Sequence, residues 1–386
     1  MLKVAAALSI AVAVAVCATV RPDRLIAMAS GAVSQNLCTG TFVSGLAPDA
    51  IYAEEMRPEG GMGLIDWALR YRVDRAERRV TTTVFGLFAT TSAFHDGYGC
   101  RLEHPRAAPF ARIAADADGE RAALPDIAGR EPVAAGDPAL ARALDAAFAS
   151  EEGGKPRSTR AIVVVHQGRV VAERYAQGIG VDTPLLSHSI AKSVTNALVG
   201  VLVRDGALRV DQQVSAPAWR SPVTVDELLR MSSGLPLDEG RGPGIAQRMW
   251  FVESDDAGFA ERTPLVAEPG AQWRYSNLGY AVLSRLVRDA AGGTPAQAAA
   301  FANRELFAPL GMRSATLEFD GAGSPMGSNA FLATARDWAR FGLLYLNDGR
   351  AGDRRILPEG WVDYSTRPTL DTGIGASVTL SQKPAP

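Results

Sequence analysis

A serine three positions before a lysine, Ser189 and Lys192 in SHSIAKSVTNALVG (187–200), could form a nucleophile and its proton acceptor. If the stretch is helical from Ser189 onward, the two side chains lie one turn apart on the same face and can meet. A lysine held in an apolar, partly buried pocket loses basicity and can take the serine proton. The helix N-terminus adds backbone N–H groups and a positive dipole, which suit the oxyanion of acyl transfer. Val194, Ala197, Leu198 and Val201 would pack inside and keep the platform rigid. Lysine is scarce here, at Lys3, Lys155, Lys192 and Lys383 only, and arginine cannot accept a proton at neutral pH. Serine makes 23 of the 386 residues, so chance supplies about 0.2 such pairs.

A second group lies in WRYSNLGYAVL (273–283), where Tyr275 and Asn277 fall in a short turn before a helix. A tyrosine beside a lysine cation can ionise or share a proton and so relay protons. An asparagine amide can hold the lysine or bind a substrate carbonyl. Tyr-x-Asn alone is common, and a core aromatic is the competing reading of Tyr275. Other catalytic patterns are missing. There is no Gly-x-Ser-x-Gly elbow. The four histidines, His95, His104, His166 and His188, have no zinc-type spacing, so no metal is expected. His188 reads as a packing or surface residue, and His166 as part of an exposed hairpin turn. No phosphate-binding glycine loop or dinucleotide fingerprint occurs, and no cofactor is expected.

The elements that must position these residues belong to an ordinary globular chain. Its residues are 47% hydrophobic and 21% charged, and the length suggests two or three domains. A net charge of -2 gives no basic field, which excludes nucleic-acid binding. Residues 4–20, VAAALSIAVAVAVCATV, are uncharged and almost wholly apolar, after Lys3 and before Arg21 and Arg24. Residues 1–22 therefore read as an uncleaved inner-membrane anchor or a cleaved secretory signal, with a buried core helix as the third reading. A small-residue cleavage site could lie at Ala27-Met28-Ala29. Either of the first two readings places the remainder in the periplasm. Export would permit a disulfide between Cys38 and Cys100, with two buried thiols as the alternative.

Residues 23–112 form an N-terminal extension domain, in which 78–95 reads as strand. Residues 113–136 read as a linker or a long connecting loop. A helix starts at Asp137 with Pro138 in its first turn. Residues 161–176 read as a hairpin turning at HQGR, and Thr224 with Glu227 caps a helix over 224–231. Further helices fit 281–291, 296–306 and 333–348. Strands followed by helices, without βαβ alternation, indicate an α+β fold.

With these residues in place, the chain from about 137 to 368 resembles the serine β-lactamase and penicillin-binding-protein superfamily. Within it the likeness is to class C-type esterases and 6-aminohexanoate-oligomer hydrolases. Ser189-Ile190-Ala191-Lys192, LLRMSSGL (228–235), Tyr275-Ser276-Asn277, PLGM (309–312) and ATARDWARFGLLYL (333–346) carry the resemblance. LCTGTFVSG (37–45) and GYGC (97–100) resemble an extension found on some exported members. The resemblance implies an antiparallel sheet flanked by helices with a helical subdomain, and an acyl-enzyme on Ser189. Lys192 would accept or hold the serine proton, and Tyr275 would protonate the leaving group and then activate water. Asn277 would hold Lys192 or the substrate, and the Ser189 N–H would supply half the oxyanion hole. The substrate would be a small ester or amide.

The departure is at the end. The family places a third motif, Lys-Thr-Gly or a His/Gly-rich equivalent, on a C-terminal strand that also gives the second oxyanion N–H. Here 369–386, an atypical tail, holds no such motif. A truncated or frameshifted chain is the expectation, with an incomplete sheet and an open edge on the hairpin. A serine hydrolase is the leading reading. The alternatives are a catalytically incomplete relative that binds a ligand or partner, and a penicillin-sensitive cell-wall peptidase.

Overall fold

The computed structural model describes residues 22–105, 107–111, 122–150, 154, 158–238 and 244–369. The apolar run 4–20 and the tail beyond residue 369 lie outside the described residues. The fold is α+β: antiparallel sheets and helices, with no closed barrel among the described residues.

The extension opens with helix α1 (Pro22–Cys38), laid across a four-stranded antiparallel meander. Its strands, in spatial order, are β1 (Leu69–Asp74), β2 (Arg79–Val84), β3 (Leu87–His95) and β4 (Gly99–Leu102). The stretch 78–95 is thus two strands, not one, because Phe85 and Gly86 both take positive φ and turn the chain back. Val33, Leu37, Val80 and Val84 form a core separate from the main one. Residues Ala27, Met28 and Ala29 lie inside α1, with Met28 buried, so cleavage there would cut the helix in half. Cys38 and Cys100 are joined by a disulfide.

Residues 122–136 are irregular yet packed. Leu124 and Ile127 are buried in the main core, and the Val170 N–H donates to Ile127 O at 2.8 Å. After α2 (Pro138–Phe148), capped by Asp137, comes the hairpin β5 (Ala161–His166) and β6 (Arg169–Tyr175). It turns at Gln167-Gly168, so His166 ends β5 and is exposed. The β6 edge is covered by the preceding segment: the Glu173 N–H donates to Val133 O at 2.9 Å. The Glu173 carboxylate takes the Arg336 Nε at 2.9 Å and the Val133 N–H at 2.8 Å. Among the described residues β5 has a strand neighbour on one side only.

Strand β7 (Leu185–Leu186) leads directly into the Ser189 turn and then α3 (Ala191–Arg204). Helix α4 (Val225–Leu229) carries the expected capping box, with the Glu227 N–H donating to Thr224 Oγ1 at 3.1 Å and the Thr224 N–H donating to Glu227 Oε2 at 2.7 Å. Helix α5 (Ile245–Val252) packs on α1, where a Cβ on Gly31 would collide with the Phe251 carbonyl. Helix α6 (Asn277–Ala290) starts four residues earlier than its apolar pattern suggests, and packs against α3. Strands β8 (Thr316–Leu317) and β9 (Phe331–Ala333) join β7 in the order β8-β9-β7. Helix α7 (Ala335–Leu346), capped by Thr334, lies against β5.

Candidate active site

Ser189 is placed by β9. Leu332 pairs with Leu186, and the Ser187 N–H donates to Phe331 O at 2.8 Å. The chain then makes a 3-10 turn, His188–Ile190, before α3. His188 holds φ at 46°, a left-handed conformation that costs a non-glycine residue energy. That turn leaves Ser189 partly exposed while Lys192, one turn on, is buried. His188 itself is exposed, as expected of a surface residue.

The sequence-derived residues meet. Tyr275 Oη lies 2.6 Å from Ser189 Oγ, and Lys192 Nζ lies 3.2 Å from it. Lys192 Nζ also donates to Asn277 Oδ1 at 2.5 Å and to the Ser328 carbonyl at 2.6 Å. The Tyr275 ring centroid is 4.9 Å from Nζ and that of Tyr280 is 5.8 Å away, so the amine rests against two aromatic faces. Burial raises the Tyr280 hydroxyl far above the ordinary phenol range, so Tyr280 stays neutral. Its hydroxyl donates to Leu229 O instead.

Two supports escaped sequence reasoning. Asp238 is almost wholly buried and caps α6 from outside the helix. Its Oδ2 accepts the N–H groups of Asn277 and Leu278, at 2.6 and 3.0 Å, and the Ser276 hydroxyl at 3.2 Å. Its Oδ1 accepts Asn277 Nδ2 at 2.9 Å. Burial raises the Asp238 carboxyl and these hydrogen bonds oppose the rise. Asp238 follows LLRMSSGL closely, but no local spacing links it to Asn277, and only the fold brings its buried carboxylate to α6. The second support is the 326–330 loop. Thr195 Oγ1 donates to Gly327 O at 2.9 Å, and Trp250 Nε1 to Ser328 Oγ at 3.0 Å. They fix the Ser328 carbonyl that Lys192 uses.

Among the described residues, no group of three or more His, Cys, Asp or Glu side chains could hold a metal ion. A partly exposed hydroxyl, a phenol in contact with it, and a buried amine tied to a fixed amide and a fixed carbonyl form an arrangement that nucleophilic acyl transfer can use. The third motif expected on a C-terminal strand is not found among the described residues, where β5 keeps one edge without a strand.

Known proteins resemble this chain over much of its length. The chain is 25% identical over 288 residues to the 6-aminohexanoate-dimer hydrolase of Paenarthrobacter ureafaciens, covering 68% of this chain and 71% of that one. It is 30% identical over 236 residues to penicillin-binding protein 4 of Amycolatopsis lactamdurans, covering 50% of this chain and 58% of that one. A solved Bacillus anthracis structure, described as a candidate 6-aminohexanoate-dimer hydrolase, matches 62% of this chain and 68% of its own, with TM-score 0.49 and 24% identity. Residues 144–383 match the family described as Beta-lactamase, and the chain belongs to that family.

Proposed function

We propose that the protein is an exported serine hydrolase that cleaves ester or amide bonds of small molecules through an acyl-enzyme on Ser189. The contact of Ser189 Oγ with both Tyr275 Oη and Lys192 Nζ carries this reading. Ser189 Oγ attacks the substrate carbonyl carbon, and its proton passes to the Tyr275–Lys192 pair. The bond to the leaving alcohol or amine breaks as Tyr275 returns that proton to it. Water then attacks the acyl carbon, gives a proton to the same pair, and releases the acid while Ser189 regains its hydrogen. The Cys38–Cys100 disulfide supports export, since such bonds persist in oxidising compartments.

Among the described residues β5 has a strand neighbour on one side only, which favours one second reading, a relative that binds ligands without turnover. Short-chain p-nitrophenyl esters, nitrocefin and a linear 6-aminohexanoate dimer, each tested with the chain and with Ser189→Ala, separate the two. Ser189-dependent turnover of an ester or the dimer supports the hydrolase, and nitrocefin turnover alone would make it a β-lactamase. Equal rates for both proteins on every substrate would leave the binding reading standing.

A further inference from the structure

Among the described residues nine large hydrophobic side chains are exposed, and five of them stand together at one end of the extension. Leu64 is 80% exposed, Trp67 69%, Leu87 64%, Phe85 51% and Phe88 43%. Phe85, Leu87 and Phe88 form the β2–β3 tip. Trp67 lies against Phe85 with ring centroids 5.2 Å apart, and the Phe85 N–H donates to Ala68 O. Phe85 and Phe88 are both held at positive φ, which aims two aromatic side chains outward at a conformational cost. A soluble face gains nothing from such a cluster.

The orientation of α1 identifies what covers it. Cys38 is bonded to Cys100, which pairs with Phe94, and Ser30 Oγ lies 2.8 Å from Thr90 Oγ1. Running back along α1 from Cys38 to Ser30 therefore follows β3 from Phe94 to Thr90, toward the tip. The first turn of α1, at Pro22, lies at the same end as Phe85–Phe88. In the sequence, the uncharged apolar run 4–20 stops one residue before that helix. At this end Arg24 shares the first turn of α1 with Asp23, and the exposed Arg70 donates its guanidinium to Trp67 O.

We propose that this end of the extension is a bilayer-docking face. Leu64, Trp67, Phe85, Leu87 and Phe88 would enter the interface of the same membrane that takes up residues 4–20, with Arg24 and Arg70 at anionic headgroups. Trp, Phe and Leu on an amphipathic face partition into the headgroup boundary, and a second contact beside an apolar segment fixes how the catalytic domain stands over the membrane.

The test uses the full chain reconstituted into phosphatidylcholine–phosphatidylglycerol vesicles. The Trp67 fluorescence component is read as wild type minus Trp67→Phe. Docking predicts that lipids brominated on their acyl chains quench this component about two-fold or more while aqueous acrylamide hardly reaches it. Leu87→Asp/Phe88→Asp should restore acrylamide access and abolish quenching by brominated lipid, with near-ultraviolet circular dichroism unchanged. A Trp67 component quenched freely by acrylamide and untouched by brominated lipid would overturn the proposal. Shielding that follows protein concentration rather than lipid would overturn it too, by assigning the face to a second copy of the chain.

Discussion

Asp238 Oδ1 accepts a hydrogen bond from Asn277 Nδ2 at 2.9 Å, which turns the opposite end of that amide, Oδ1, onto Lys192 Nζ at 2.5 Å. A carboxylate outside the active site thus decides which atom of Asn277 the lysine meets. With the two N–H groups of α6 bound to its other oxygen, Asp238 is a positioning residue for Lys192 and a helix cap at once.

Replacing it should separate those two effects. Asp238→Ala leaves buried donors without partners and should cost about 1–3 kcal/mol of stability, read by denaturant unfolding. Asp238→Asn sets an amide against the same donors, and should lower kcat/KM roughly ten-fold in protein that still folds. Unchanged kinetics in a folded Asp238→Asn protein would show that Asn277 finds its orientation without the carboxylate.

Tyr275→Phe removes the hydroxyl 2.6 Å from Ser189 Oγ while keeping the ring over Lys192. The expected loss in kcat is roughly 10²- to 10⁴-fold, the usual worth of a positioned general acid–base group, with KM little changed. A rise in KM at constant kcat would make Tyr275 a substrate-binding residue instead.

Glu318 joins the two parts of the molecule. It is fully buried and accepts from Gln35 Nε2, Thr39 Oγ1 and the Cys100 N–H, all in the extension. Burial pushes its carboxyl up to about 7, against the opposing effect of those hydrogen bonds. A carboxyl raised on folding holds its proton more tightly in the native state, so its contribution to stability is full below about 4.5 and lost as pH rises through about 7. Midpoint temperatures measured between pH 5 and pH 8 should therefore fall less steeply in Glu318→Gln than in the wild type. Equal slopes would contradict this assignment.

The disulfide closes a loop with a sequence separation of 62 residues. On chain-entropy grounds that is worth about 4 kcal/mol. Cys38→Ser/Cys100→Ser should lose a comparable amount in denaturant unfolding. It should also loosen the neighbouring hydrogen bonds to Glu318, seen as faster hydrogen exchange at Cys100 and Thr39 positions.

How much of this was legible in the sequence depended on whether a signal was local. Ser189 and Lys192 lie three positions apart and Tyr275 and Asn277 two, so local spacing made them candidates, and the family resemblance joined them into one site. The capping box at Thr224 and the Asp137 start were readable for the same reason. Helix α1 was not, because Ser30, Ser34 and Gln35 break its apolar face. They are buried nonetheless and satisfied across the sheet, Ser34 Oγ on Val80 O and Gln35 Nε2 on Cys100 O. The turn at Phe85-Gly86 was hidden inside a run of strand-forming residues. Asp238 and Glu318 act on partners 39 and up to 283 positions away, and only folding brings them together.

The central claim is that Ser189 is a nucleophile. The direct measurement is incubation with a fluorophosphonate followed by peptide mass spectrometry. A single covalent adduct is expected on the peptide containing Ser189, absent from Ser189→Ala and slowed in Tyr275→Phe. An unmodified Ser189 in folded protein, with the probe on another residue or on none, would contradict it.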